Sequence, residues 1–292
     1  HSFPTRRSSD LGKKEQKKLF SLEDKYMHNL MCYYMLSRAY VRGQIVQHKW
    51  GLILYVVGLS TGYMASFFGI WIILNRFKEI GNWNLGEIAF IYIICLLSAG
   101  ISNILFVQFR GIGRMVESGE IDRILIRPIN PIVNIMGTRF ELNGFANIIV
   151  GLLLLFFLHD DINIQWHMMN IIKFIIALIS ATLVHGSIII IIGSLSFIFI
   201  RTSGLDDMYS SFRDLVFYPV TIFDKPIQFI LFFILPLAFA SYVPAGMFLE
   251  NPEYLNLPQW VWNISPIFGI LLFLVSYSIW KLCLRRYQST GS

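Results

Sequence analysis

The sequence predicts an all-α, polytopic membrane protein of six transmembrane helices, with an N-terminal interfacial helix and a further cytoplasmic helix after the second span. Three observations carry this. Hydrophobic residues make up 55% of the 292-residue chain and charged residues 14%, with a mean hydropathy of +0.59; a soluble domain carries roughly 25% charged residues. The apolar residues gather in six stretches near the ~20 residues that cross a hydrocarbon core. The basic residues concentrate in alternate segments between those stretches, as the positive-inside rule requires.

Taken in order, residues 1–11 (HSFPTRRSSDL) are polar and aperiodic, lead into no signal-peptide core, and read as a tag or artefact outside the fold. Residues 12–51 mix Lys and Arg with apolar side chains; Tyr33, Tyr34, Leu36 and Tyr40 fall at helical offsets with Arg38 and Arg42 between them. That pattern suits a helix in the cytoplasmic headgroup layer, the alternative being a solvated helix leading into the first span. The membrane domain then occupies 52–292, with spans at 52–74, 88–107, 140–158, 171–200, 227–249 and 264–282.

Lys and Arg number ten in the N-terminal segment, five in 108–139, three in 201–226 and three from Lys281 onward, against two in 75–87, one in 159–173 and none in 250–263. Twenty-one against three places the first set, and both ends, in the cytoplasm. The formal charge of +6 is therefore a topology signal and not a nucleic-acid footprint. The three cysteines, Cys32, Cys95 and Cys283, are far apart and point to neither a disulfide nor a metal site.

Catalytic constellations are missing from the sequence: it has no GxxxxGK[ST], no HExxH, no GxSxG and no His/Cys cluster at metal spacing. The expectation is a non-enzyme that binds no metal. His185 is the one titratable residue deep in a span, and reads either as a functional group or as a neutral imidazole hydrogen-bonded to a neighbouring helix. Glu87 suits the first turn of the second span, where a carboxylate complements the helix dipole. Gly58, Gly62 and Ser66, four residues apart, would let another helix approach the first span closely, from this chain or a second subunit. Pro236 and Pro244 interrupt the fifth span, as a kink or as the lining of a path.

The informative segment lies between the second and third spans. At over thirty residues it is long for a connector, and it sets Val116, Ile121, Ile124 and Leu125 among Glu117, Glu120, Asp122 and Arg123 before prolines end the helix. A solvated loop needs no apolar stripe; a helix docking on a cytoplasmic partner does.

The run VESGEIDRILIRPINP, Val116 to Pro131, resembles the loop signature of the ABC-2 type transporter permeases, a G-x-hydrophobic-D-x-hydrophobic-L-x-R-P pattern after the second span. Tyr218 and Pro219, then LPLAF from Leu235 and YVPA from Tyr242, are similar to that family's pattern around the fifth span, and the likeness extends over about 38–286. The resemblance implies a six-helix permease of the ABC-2 exporter kind, multi-pass in the bacterial cytoplasmic membrane. It implies a second permease chain, the same or related, and a separate ATP-binding subunit that holds the ATP and Mg; this chain would bind no cofactor. The residues between spans two and three become a coupling helix, with Glu117, Gly119, Asp122, Arg123, Arg127 and Pro128 as its ATPase-coupling residues. The transport expected is export of a lipophilic or amphipathic substrate. The competing reading is a secondary transporter driven by an ion gradient, which needs paired acidic residues inside the membrane.

Overall fold

The computed structural model describes residues 7–287 apart from 78, 81–82, 128, 138–142, 163, 200–201 and 250–257. Helices account for the architecture, and the only β-pairing among the described residues is an isolated bridge between Ile80 and Trp83. The helices are α1 (Arg7–Phe77), α2 (Leu85–Phe106), α3 (Ile112–Glu117), α4 (Glu120–Ile126), α5 (Pro131–Met136), α6 (Asn143–Phe157), α7 (Met168–Leu195), α8 (Ser203–Leu215), α9 (Lys225–Phe229), α10 (Tyr242–Gly246) and α11 (Gln259–Arg286). The chain is all-α and polytopic. Among the described residues four helices are long and apolar enough to cross a bilayer: 50–77 of α1, α2 with its extension, α7 and α11.

The first of these is the end of a much longer rod. No proline occurs between Pro4 and Pro128, so nothing stops the helix at the polar boundary near residue 51, and α1 runs unbroken for 71 residues, roughly 105 Å. Residues 7–11, set apart by composition, belong to it; residues 1–6 lie outside the described set.

The core is built on α2. Asn84 caps it: the Asn84 side chain accepts from the Glu87 N–H at 2.9 Å, and Glu87 Oε2 accepts from the Asn84 N–H at 2.9 Å. This capping box gives Glu87 its structural role. Every residue from Ile88 to Gly100 is buried, as expected of a helix apolar all round. On one side α6 approaches so closely that a Cβ on Gly100 would stand 2.8 Å from the Gly144 carbonyl oxygen, and one on Gly144 2.5 Å from that of Gly100. On the other side α7 packs, itself backed by α11, where a Cβ on Gly269 would meet the Ser180 carbonyl at 2.5 Å. Helix approach through small residues is thus realised here. At Gly58 and Gly62 of α1, by contrast, a Cβ would meet nothing within 4 Å, and Ser66 bonds only back to the Gly62 carbonyl of its own helix at 3.0 Å. That stripe is open within the chain.

The region expected as a fifth span is not one helix. Residues 225–246 form α9, a π-turn (Ile230–Ile234), a break at Leu235 and Pro236, a 3-10 turn (Leu237–Ala240) and α10. Pro236 ends the descending limb because it has no N–H to continue it. Pro244 breaks nothing: it stands in the first turn of α10, where backbone donors lack an intrahelical partner anyway. The segment is a hairpin. Its start follows Thr221, whose Oγ1 accepts from Trp83 Nε1 at 2.9 Å beyond the N-terminal end of α2. Its apex faces Ile192 and Leu195, near the end of α7, across a cavity. Its return limb passes Ser98, whose hydroxyl donates to the Ala240 carbonyl at 3.2 Å, and regains Phe90 at Phe248, ring centroids 5.5 Å apart.

A segment antiparallel to α2 is supplied instead by residues 203–222, α8 followed by a 3-10 turn (Val220–Ile222), expected as part of a loop. Asp206 meets Arg110 at 3.5 Å beyond the far end of α2, Phe217 stacks on Tyr92 at 4.7 Å, and Thr221 meets Trp83 at the near end. Asp206, Asp207, Arg213 and Asp214 lower its hydropathy, so the sequence reads as a loop where the structure has a helix. Three of these charges are in ion pairs, Asp206 with Arg110 at 3.5 Å and Arg213 with Asp214 at 3.1 Å. α6, 15 residues and about 22 Å long, is shorter than the ~30 Å of a hydrocarbon core.

The α2–α6 contact yields a direct test. Gly144→Ala drives a methyl into the Gly100 backbone and is expected to cost about 1–3 kcal/mol, lowering the thermal midpoint in detergent, whereas Gly58→Ala leaves it unchanged or raised.

Candidate functional site

The segment leaving α2 keeps its helical course through a 3-10 turn (Val107–Gly111) and α3, then reverses. Gly119 makes the reversal: its φ of 67° lies in the left-handed region, which costs a residue with a Cβ roughly 1–2 kcal/mol. This is why the run requires glycine there. Glu120 and Asp122 stand in the first turn of α4, where carboxylates complement the dipole.

Burial anchors one face of this unit. Ile112, Met115, Ile121 and Ile124 are buried, so the apolar stripe read as a docking face is turned largely into the protein. A polar clamp holds the return: Asn130 caps α5 by accepting from the Ile132 N–H at 3.1 Å, and the buried Asn134 accepts from Arg127 Nη1 at 3.4 Å and donates to the Ile124 carbonyl at 3.5 Å. The N-terminal half of α1 braces α5 through Asn29, which accepts from the Asn130 N–H at 3.4 Å.

Of the residues singled out in the sequence, Glu117, Arg123 and Arg127 are exposed and share the tip of this unit. Gly119 is the turn itself. Asp122 is half-buried beside the Tyr287 hydroxyl after α11; burial, then hydrogen bonding to Asp122 and the Asp122 charge, raise that phenol above its ordinary value. It is a docking contact within the chain. Pro128 lies outside the described residues. Two tip residues were missed by sequence reasoning: Arg114, exposed on α3, and Ile126, 82% exposed at the end of α4. A helical wheel of 120–126 puts Ile126 on the face opposite Ile121 and Ile124, and that was the available signal. A large apolar side chain held out among Glu117, Arg123 and Arg127 is the composition of a protein-contact surface, not of a solvated loop.

The family comparison decides the class. Residues 61–291 match the family described as ABC-2 family transporter protein. The chain belongs to the ABC-2 transporter family. It is therefore a membrane transport component, and a family of this kind normally carries no ATPase of its own. Neither a curated protein nor a solved structure matches the chain.

Deeper in this ABC-2 transporter, His185 of α7 is hydrogen-bonded through Nδ1 to the Tyr209 hydroxyl of α8 at 2.9 Å, and its Nε2 is buried with no hydrogen-bond partner among the described residues. Around the hairpin apex lies a cavity of about 400 Å³ between α7, α8 and α11, lined by Ile188, Ile192, Leu205, Met208, Phe232 and Phe268 among others. Among the described residues no three His, Cys, Asp or Glu side chains converge as a metal site would need.

The left-handed turn is open to measurement. Gly119→Ala is expected to destabilise it by about 1–2 kcal/mol and to speed amide exchange across 112–126, while Gly111→Ala, at an ordinary φ of −83°, leaves exchange unchanged.

Proposed function

We propose that this chain is the permease subunit of an ATP-driven exporter, gripped by a separate ATP-binding subunit at the tip formed by α3 and α4. The observation that carries the reading is that tip: Glu117, Arg123, Ile126 and Arg127 stand exposed on short helices whose other faces are locked into the protein. A surface offered so rigidly to the cytoplasm suits a groove in a motor subunit, with Glu117, Gly119, Asp122, Arg123, Arg127 and Pro128 as the coupling run. The assembly contains a second permease chain, for which the open stripe at Gly58, Gly62 and Ser66 is the packing surface, and two ATP-binding subunits carrying ATP and Mg.

The six crossings in this reading are 50–77 of α1, then α2, α6, α7, the 203–222 segment and α11, with 225–246 re-entering from the outer side and the N-terminal part of α1 extending into the cytoplasm rather than lying in the headgroup layer. Moving the fifth crossing puts Arg213 at membrane depth and Lys225 outside. The basic residues then divide nineteen inside to four outside, so the orientation in the bacterial cytoplasmic membrane is unchanged. The chain's described ends both face the cytoplasm. An amphipathic cargo fits the surfaces available: Leu205 and Met208 of α8 line the apolar cavity, and Asp207, Ser211 and Asp214 occupy its exposed face.

That exposed face also gives the ion-gradient reading its one support, since Asp207 and Asp214 are acidic groups on a crossing segment. The two readings separate cleanly. Transport that survives loss of the ATPase and collapses when the proton or sodium gradient is dissipated would replace the exporter by a secondary transporter.

Arg123→Glu combined with Arg127→Glu is expected to cut co-purification of the ATP-binding subunit at least tenfold without lowering membrane insertion; unchanged recovery sinks the docking assignment. A cysteine at Glu120 should react with an impermeant maleimide only after permeabilisation. For the relocated crossing, Asp224→Cys should label from outside intact cells and Thr202→Cys should not. The reverse pattern restores 201–226 to the cytoplasm.

A further inference from the structure

The segment gripped by the motor and the outer hairpin lie at opposite ends of α8, and side-chain bonds tie α8 to both. At its inner end stands Arg110, in the 3-10 turn that joins α2 to α3. Its guanidinium Nε is 3.5 Å from Asp206 Oδ1, and its Cζ lies 5.0 Å from the centre of the Tyr209 ring. Tyr209, only 2% exposed, is fixed in turn by His185 of α7 at 2.9 Å. A third tie joins Ser196, after α7, to Thr202, before α8, at 2.7 Å. At the outer end the Val216 carbonyl accepts from the hydroxyl of Ser241 on the hairpin at 2.8 Å, and Thr221 accepts from Trp83 at 2.9 Å.

The inner tie is a charge contact rather than a hydrogen bond. The Arg110 charge attracts the Asp206 carboxylate while the guanidinium lies over the Tyr209 ring. Arg110 is covalently continuous with α3, three residues before Gly113, whose added Cβ would touch Ser196 and Thr202 at 3.6–3.8 Å. A displacement of α3 therefore acts on α8 through Arg110 before the surrounding apolar contacts, which slide more readily, take it up.

We propose that Arg110, Asp206 and Tyr209 form a clasp that carries movement of the α3–α4 unit into α8 and along it to the outer hairpin, with Arg110 as the positioning residue. This rests on the reading of α3 and α4 as the motor's docking site. Spatial intermediacy alone does not establish coupling, so the test reads nucleotide-dependent change at the far end of α8 and needs no knowledge of the cargo.

The permease is purified with its ATP-binding subunit and reconstituted in vesicles with Tyr218→Cys, an exposed position at the outer end of α8. Its modification by an externally added impermeant maleimide is timed with and without ATP and vanadate. The expected result is a several-fold difference between the two states in the parent. Arg110→Ala should abolish it with the ATPase still bound, and the swap Arg110→Asp with Asp206→Arg should recover most of it. Asp206→Asn, which preserves volume, gives the same reading should Arg110→Ala fail to assemble. A difference that persists in Arg110→Ala or Asp206→Asn overturns the clasp, and so does a loss that the charge swap leaves unrepaired. Failure of the parent to retain any ATPase is a separate result: it removes the docking assignment, and the clasp's purpose with it.

Discussion

A bilayer offers a polar group no partner, so every backbone and charged atom at membrane depth has to be satisfied by the protein. In this chain α2 answers that constraint most completely and the rest is arranged around it. Its backbone is satisfied within the helix, its first turn by the Asn84–Glu87 box, and its side chains are buried on all sides. α6 and α7 press on it through glycines and small residues. In lipid, where tails are as apolar as leucine, such close van der Waals contact is what selects one helix arrangement over another.

In the crossing proposed for it, α8 meets the same constraint. A charge at the bilayer centre costs about 2.5–3.5 kcal/mol on insertion scales, so four charged residues in thirteen read as a loop. The cost falls when the charge meets a partner inside the bundle, and for Asp206 that partner comes from distant sequence: Arg110, which also lies over Tyr209, itself bonded to His185. Pairings of that kind are written in three dimensions and leave no periodicity to read.

What was legible in the sequence follows the same line. α2, α7 and α11 could be read because their signal is local, a long run of apolar residues. The place of Glu87 in the first turn of α2 could be read because a helix start is a local signal, whereas the Asn84 cap that completes it came from the structure. The importance of 116–131 was visible from an apolar stripe where a connector has no need of one, and from its likeness to the ABC-2 permeases. The structure altered its interpretation: Ile121 and Ile124 turn inward, Asp122 meets Tyr287, and Ile126 with Arg114 takes a place on the tip. Inward and outward apolar residues look alike until the neighbour that covers one of them is known. Pro236 and Pro244 illustrate the converse, since two identical residues eight apart do opposite things: one ends a helix and the other begins one.

The membrane-crossing part of α1 stands apart from all this. It leans chiefly on α6, where Tyr55 donates to Asn143 at 2.7 Å, and shows most of its surface to whatever surrounds it. Sliding an apolar rod past lipid changes little in free energy, because the medium on either side of the motion is the same. The same rod extends without a joint for some forty residues beyond the bilayer, and there it rests on the segment that α5 closes. A tilt of a few degrees near Tyr55 therefore becomes a sweep of several ångströms at Asn29, so that the least anchored helix of the bundle is also the one best proportioned to act as its tiller.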